Sequence, residues 1–326
     1  MRVFLLVFGL FSLVTTYSQK QEDSILLHTP ENSHDSLYYE LFKKYRQSDP
    51  SKALTYAQKC FDRARALKHQ MLEVKSANAI GWLQQSSGDF EQAIETHTEA
   101  LKLAKEYKME DRVMYSYNNL GIIYDKLDIY DKALDNYFKC LELARKLNVI
   151  DVEISTLNNI GVSYGKLKNP TEALNYYSQA HDLEVKNGDD GLNATYVNMG
   201  LTYIDLEDLG KAKEVFQKII KKEEIDPVIK IASLRGLARC YFLGDETQRC
   251  IYFAKEARDL AKVKKIRDQE SDSYHLIASA LLKEKDLVGA LDNCEKAIEI
   301  AKTLKSHSNL QQSYELESRI YEKTGD

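Results

Sequence analysis

The chain has 326 residues, 44% of them hydrophobic and 29% charged, with only 4 Pro and 14 Gly; this suits a helical protein and excludes a turn-rich β architecture and wholesale disorder. The net charge of -5 excludes a nucleic-acid footprint, which needs Lys and Arg clustered on one face. The basic cluster Lys262, Lys264 and Lys265 falls at the end of a predicted helix, where positive charge is favoured by the helix dipole.

Met1 and Arg2 precede an apolar run from Val3 to Val14 and then TTYSQ, in which Thr16 and Ser18 are small residues suited to the -3 and -1 positions of a signal-peptidase site. Residues 1–18 therefore read as a signal peptide and the chain as exported, to the periplasm or beyond. The apolar run is shorter than the roughly 20 residues a membrane span needs, no Cys lies at the cut to take a lipid, and no later stretch reaches membrane length. Residues 19–36 read as a linker.

From residue 37 the chain repeats itself. Asn118 to Leu134 reads NNLGIIYDKLDIYDKAL, and forty residues on, Asn158 to Leu174 reads NNIGVSYGKLKNPTEAL. Sliding this phrase along the chain gives an anchor at Leu41, Gly81, Gly121, Gly161, Gly200, Ala238, Ala278 and Ser318. A large residue usually follows three later (Tyr124, Tyr164, Tyr203, Tyr241) and a small one twelve later (Ala53, Ala93, Ala133, Ala173, Ala212, Cys250, Ala290). Small and large residues alternating at helical spacing are what two packed antiparallel helices require, so each repeat is a helix pair. Ser87-Gly88-Asp89 and Leu243-Gly244-Asp245 read as turns between the helices, and Asn169-Pro170, Asp49-Pro50 and Asp226-Pro227 as helix starts with an N-cap followed by Pro.

The pattern Asn119-Leu120-Gly121, Tyr124, Ala133, Tyr137 and Cys140, with its copy at Gly161, Tyr164, Ala173, Tyr177 and Ala180, resembles the tetratricopeptide repeat family. The resemblance covers about residues 37–326 and implies an all-α, right-handed superhelical solenoid of antiparallel helix pairs, here seven pairs plus half an eighth. The family's usual period is 34 residues. The steps here are mostly 40, so each repeat carries about six extra residues, or roughly 9 Å of helix shared within the pair. Such long-helix variants resemble those of G-protein-signalling modulators and bacterial response-regulator phosphatases. The last repeat supplies one helix and reaches the turn word Thr324-Gly325-Asp326, which implies that the chain is a piece of something longer, or that the uncapped helix supports self-association.

Motifs for chemistry are weak. Gly161-Val162-Ser163-Tyr164-Gly165 satisfies G-x-S-x-G but lies inside a helix, where no nucleophile elbow forms. The seven His show no ligand spacing, and His97 stands where Tyr137, Tyr177 and Phe216 stand in later repeats, which is a packing position. Cys60, Cys140, Cys240, Cys250 and Cys294 fall mostly at small-residue packing positions and read as buried thiols, with Cys240 and Cys250 the one pair to inspect for a disulfide. No enzyme, cofactor or metal is expected within these residues.

In the family the first helices line the concave surface, and the resemblance implies that the position two before the anchor points into it. That position holds Asn119, Asn159 and Asn198, with Asn78, Asn118 and Asn158 one residue earlier. A column of Asn carries donors and acceptors that pair with the backbone of an extended peptide; equally, it serves to pack repeat against repeat or to solvate a helix face. Tyr115, and Trp82, the only Trp, add apolar contact on the same face or belong to the core. From Gly236 onward the column is lost, so the expected groove lies in the N-terminal half. The partner expected is a protein or extended peptide, not nucleic acid. The N-terminus also resembles exported sensor regions of Bacteroidetes-type signalling proteins, membrane histidine kinases among them. A free-standing periplasmic adaptor in envelope or secretion assembly, and a longer enzyme with a kinase or cyclase domain after Asp326, stay open as alternatives.

Overall fold

The computed structural model describes residues 34–191 and 193–324; the signal-peptide reading at 1–18 and most of the linker lie outside them. The described residues form α-helices and no strand. The chain divides into two compact units, one ending at Val149 and one starting at Ile150. Unit 1 contains α1 (His34–Tyr45), α2 (Pro50–Ala66), α3 (Gln70–Ser87), α4 (Phe90–Glu106), α5 (Glu110–Lys126) and α6 (Tyr130–Leu147). Unit 2 contains α7 (Ile150–Lys166), α8 (Pro170–Lys186), α9 (Ala194–Asp205), α10 (Leu209–Ile220), α11 (Pro227–Leu243), α12 (Thr247–Lys264), α13 (Arg267–Lys283), α14 (Leu287–Leu304) and α15 (His307–Thr324). The first helix begins at His34, inside the stretch read as linker, and buries Asp35 beside His69.

The anchors explain the pairing. A β-carbon built on Gly121 would lie 2.5 Å from Cε1 of Tyr137, and one on Gly161 would lie 2.6 Å from Cε1 of Tyr177. Gly81 receives the ring of His97 and Gly200 that of Phe216 in the same way. Sixteen residues beyond its glycine, on the second helix of the pair, each ring sits against the bare backbone of the first. In the later repeats the anchors are Ala238 and Ala278, and the residues sixteen on are Ala254 and Cys294, all buried. Where the ring is absent the anchor bears a methyl, which takes up part of the space beside it.

Within each unit the odd-numbered first helices touch the next first helix as well as their own partners (α1 with α3 and α3 with α5; α9 with α11, α11 with α13 and α13 with α15). They therefore share one face, and it is this face that carries the hollows described below. The dip of the period to 38–39 near Gly200 has a local cause: α9 and α10 have 12 residues each, against 17 or 18 in the other helices from α2 onward.

Three expected starts are capped as read: Asp49 accepts from the Lys52 amide at 3.0 Å, Asn169 from Glu172 at 3.3 Å and Asp226 from Val228 at 2.7 Å. The ends are less conventional. Gly88 takes the left-handed conformation expected of a C-terminal glycine, but Lys68, Lys108, Asp128, Asn148, Lys168, Lys265, Lys285 and Lys305 take it too, with φ between 54° and 66°. In the Leu243-Gly244-Asp245 turn the positive φ (60°) belongs to Asp245 and not to the glycine. A side chain in that region costs about 1 kcal/mol or more, partly offset by the entropy glycine would lose. Lys108→Gly is expected to stabilise the protein by about 0.5–1 kcal/mol, read as a rise in the midpoint of urea unfolding with unchanged slope; a fall would show that Lys108 makes up its strain elsewhere.

Candidate functional site

On the first-helix face of unit 1 lies a hollow of about 440 Å³. Helix α1 brings Tyr39, Phe42 and Arg46 to it, α3 brings Lys75, Asn78, Ala79 and Trp82, and α5 brings Arg112, Tyr115 and Asn119. Four of the eight residues singled out from the sequence, Asn78, Asn119, Trp82 and Tyr115, thus meet in one place. Trp82 is 40% and Tyr115 36% exposed, so neither is a core residue. The rings of Tyr39 and Phe42 lie 5.5 Å apart, and the Arg112 guanidinium sits 5.0 Å over the Tyr115 ring. Burial, the larger effect, raises the pKa of the Tyr39 phenol against the opposing pull of Arg112, so it stays a neutral donor.

The two Asn of this hollow differ in what they have left to offer. The Asn78 amide nitrogen donates to Val74 O at 3.2 Å and to Ser116 Oγ at 3.4 Å, while its oxygen accepts from Asn119 Nδ2 at 3.4 Å and faces His97 Nδ1 at 3.0 Å. Asn78 is therefore a tie between repeats that holds Asn119 in place. Asn119 spends its amide nitrogen on that tie, and its oxygen is the acceptor left to the hollow.

The sequence reading missed the cations. Arg46, Lys75 and Arg112 line the same hollow, and of the described residues that line it none is a carboxylate. Arg112 pairs with its neighbour Asp111 at 2.9 Å; Arg46 and Lys75 make no ion pair among the described residues. The available signal was positional, since Lys75 and Tyr115 both stand six residues before their anchors.

Asn159 (α7) and Asn198 (α9) belong to unit 2, where both are half-buried and their amides make no hydrogen bond among the described residues. Unit 2 carries its own hollow of about 490 Å³, built without the Asn column. It is lined from α11 by Arg235, Gly236 and Arg239 and from α13 by Asp272, His275 and Leu276, at the same offsets from the anchor that Asn78, Ala79, Trp82 and Lys75 occupy in unit 1. Its charges satisfy one another: Arg235 meets Asp272 at 2.6 Å, Arg239 meets Asp205 at 3.6 Å, and Asn309 donates to Asp272 at 2.8 Å. Burial lowers the pKa of His275.

The remaining candidate chemistry is absorbed by packing. Ser163 is buried and its hydroxyl donates back to Asn159 O at 3.1 Å within α7. All five Cys are buried and free, Cys240 and Cys250 included. Burial pushes the thiols of Cys60, Cys250 and Cys294 up to about 12 and that of Cys240 to about 11, so thiolate is scarce at neutral pH. Among the described residues no group of His, Cys, Asp and Glu is placed to hold a metal ion, and no helix is long and apolar enough to cross a membrane.

The tetratricopeptide repeat profile matches residues 44–106, 85–146 and 152–222, together more than half of the sequence. The chain belongs to the tetratricopeptide repeat family. Tetratricopeptide arrays are protein-interaction scaffolds, generally without catalysis of their own, and protein partners follow from the fold. No curated protein matches the sequence. Among solved structures, a tetratricopeptide repeat protein from Parabacteroides merdae superposes with a TM-score of 0.61 at 16% identity, over 86% of this chain and 99% of its own. The apo form of RapI gives 0.62 at 16% identity, over 83% and 98%. A signal transduction ATPase with numerous domains and a tetratricopeptide repeat sensor, from Pyrococcus horikoshii, gives 0.63 at 18% identity, over 92% of this chain and 51% of its own. These likenesses establish a shared all-α helical-repeat solenoid.

His97 supplies a test of the unit 1 tie. Burial against Gly81 lowers its pKa from 6.5 to about 4, so the folded state refuses a proton that the unfolded chain accepts. Stability is then full above pH 6.5 and is lost as pH falls through 6.5 toward 4, by on the order of 2 kcal/mol at pH 5. His97→Phe, the ring type found at Phe216, is expected to flatten that part of the pH profile of the thermal midpoint; an unchanged profile would assign the acid sensitivity to other groups.

Proposed function

We propose that unit 1 binds an extended, acidic segment of a partner protein. The observation that carries this reading is the coincidence, in one hollow, of two exposed aromatics with Arg46, Lys75 and Arg112 and no carboxylate. Trp82 and Tyr115 offer rigid apolar surface at low entropic cost. Asn119 offers an acceptor to a peptide amide, and the cations select carboxylates against bases. Asn159 and Asn198 extend the same backbone-directed chemistry to unit 2.

A random peptide library displayed on phage and panned against the full chain tests this. Enriched peptides are expected to be acidic with an aromatic or aliphatic anchor, and Trp82→Ala or Lys75→Glu is expected to weaken them at least about tenfold with helical content unchanged by circular dichroism. Enrichment that is identical on the Lys75→Glu variant would overturn the reading.

In the cell this scaffold serves as the extracytoplasmic sensory region of a larger signal-transduction protein such as a histidine kinase. The signal-like residues 1–18 support the location, and the tetratricopeptide repeat sensor of the Pyrococcus signal transduction ATPase supports the role by analogy. On this reading, mass spectrometry of the protein purified from its source finds a mature N-terminus at or near Gln19, and an N-terminus retaining Met1 would refute export by cleavage.

A further inference from the structure

A third hollow, of about 650 Å³, opens on the first-helix face of unit 2 where α11, α13 and α15 run side by side and α14 begins. Its floor is apolar: Leu316 is buried, and Phe242, Leu282 and Leu287 are half-buried. Four cations stand around it, Lys283, Lys285, Arg319 and Lys323, against the single carboxylate of Glu322. Lys283 is already engaged: it pairs with Asp245, donates to Phe242 O at 3.2 Å and lies 4.9 Å over the Phe242 ring. Lys285, Arg319 and Lys323 make no ion pair among the described residues.

The backbone of an occupant must also be satisfied. An extended peptide leaves an amide and a carbonyl unpaired at every residue unless its host supplies partners. The one neutral polar side chain here is Ser279, whose hydroxyl donates to His275 O at 3.0 Å. This differs from unit 1, where Asn119 retains an acceptor. A helix satisfies its own backbone and asks of its host only an apolar strip and complementary charge.

We propose that this hollow is a docking site for an acidic amphipathic helix of a partner protein, distinct from the peptide hollow of unit 1. Apolar side chains on one stripe of the helix fill the floor of Leu282, Leu287, Leu316 and Phe242. Carboxylates flanking that stripe reach Arg319, Lys323 and Lys285.

The test is fluorescence anisotropy on the full chain with a labelled synthetic helix of about 15 residues that carries Leu on one stripe and Glu on both flanks. Its controls are a scrambled peptide of the same composition, a charge-reversed version with Lys for Glu, and vesicles of phosphatidylglycerol in phosphatidylcholine. The striped acidic helix is expected to bind at least about tenfold more tightly than either control peptide. Arg319→Glu combined with Lys323→Glu is expected to reduce that binding at least about tenfold, whereas Lys75→Glu in unit 1 leaves it unchanged, which separates this site from the first. Lys285→Glu, in the turn before α14, is expected to reduce binding without touching α15, so loss of α15 structure cannot imitate the result. Equal binding of the scrambled peptide, indifference to both sets of charge changes, capture of anionic vesicles without the peptide, or concentration-dependent self-association that excludes the probe would each overturn the proposal.

Discussion

The contact on which the rest depends is an aromatic ring laid against a bare stretch of helix. Gly121 with Tyr137, Gly161 with Tyr177, Gly81 with His97 and Gly200 with Phe216 are the same contact made four times. It sets how closely the two helices of a pair approach, because no side chain stands between the ring and the backbone. A ring held there also fixes rotation about each helix axis, since a turn of one residue, about 100°, would carry the glycine away from it. Once separation and rotation are fixed, every other position of the repeat has a defined direction, and the forty-residue period becomes a spatial repeat.

That register decides what the first-helix face can offer. Positions six, three and two before the anchor and one after it line the hollow in unit 1 and again the polar hollow in unit 2. The frame is common and the chemistry is not. In unit 1 those positions carry Trp82, Tyr115 and Lys75, a cation with no ion pair among the described residues; around Arg235 and Asp272 they carry charges that neutralise one another. Attraction for an outside carboxylate requires a cation that has not already been paired within the fold, so the same geometry yields an open site in one unit and a closed network in the other. The buried thiols and the back-bonded Ser163 show the complementary case, in which reactive residue types are spent on packing.

Much of this was legible in the sequence. The period, the anchor glycines, the helix pairs and the Asp-Pro and Asn-Pro starts follow from spacing and capping chemistry, because each is a local requirement repeated several times. The left-handed helix ends at Lys68, Lys108, Lys168, Lys265, Lys285 and Lys305 were not legible. Lysine carries no turn signature, and there the packing of the helix pair overrides local preference. Trp82 and Tyr115 were readable as candidates, but their exposure was not, since an aromatic at helical spacing serves a core equally well. The cations escaped because Arg46, Lys75 and Arg112 are far apart in sequence and come together only when three first helices align. The division at Val149 leaves no mark in the repeat pattern.

The Asn column shows how a pattern can be correct in place and mixed in meaning. Asn78 spends its amide on tying one repeat to the next, with neutral His97 as one of the partners. The column stops at Gly236 for a steric reason: the Phe216 ring, already seated on Gly200, presses also on Gly236, where a β-carbon would overlap it. An Asn there would displace the ring that sets the spacing of both helix pairs. The loss of Asn at that point is thus a packing requirement, and the polar hollow around Arg235 and Asp272 carries other side chains at the same offsets.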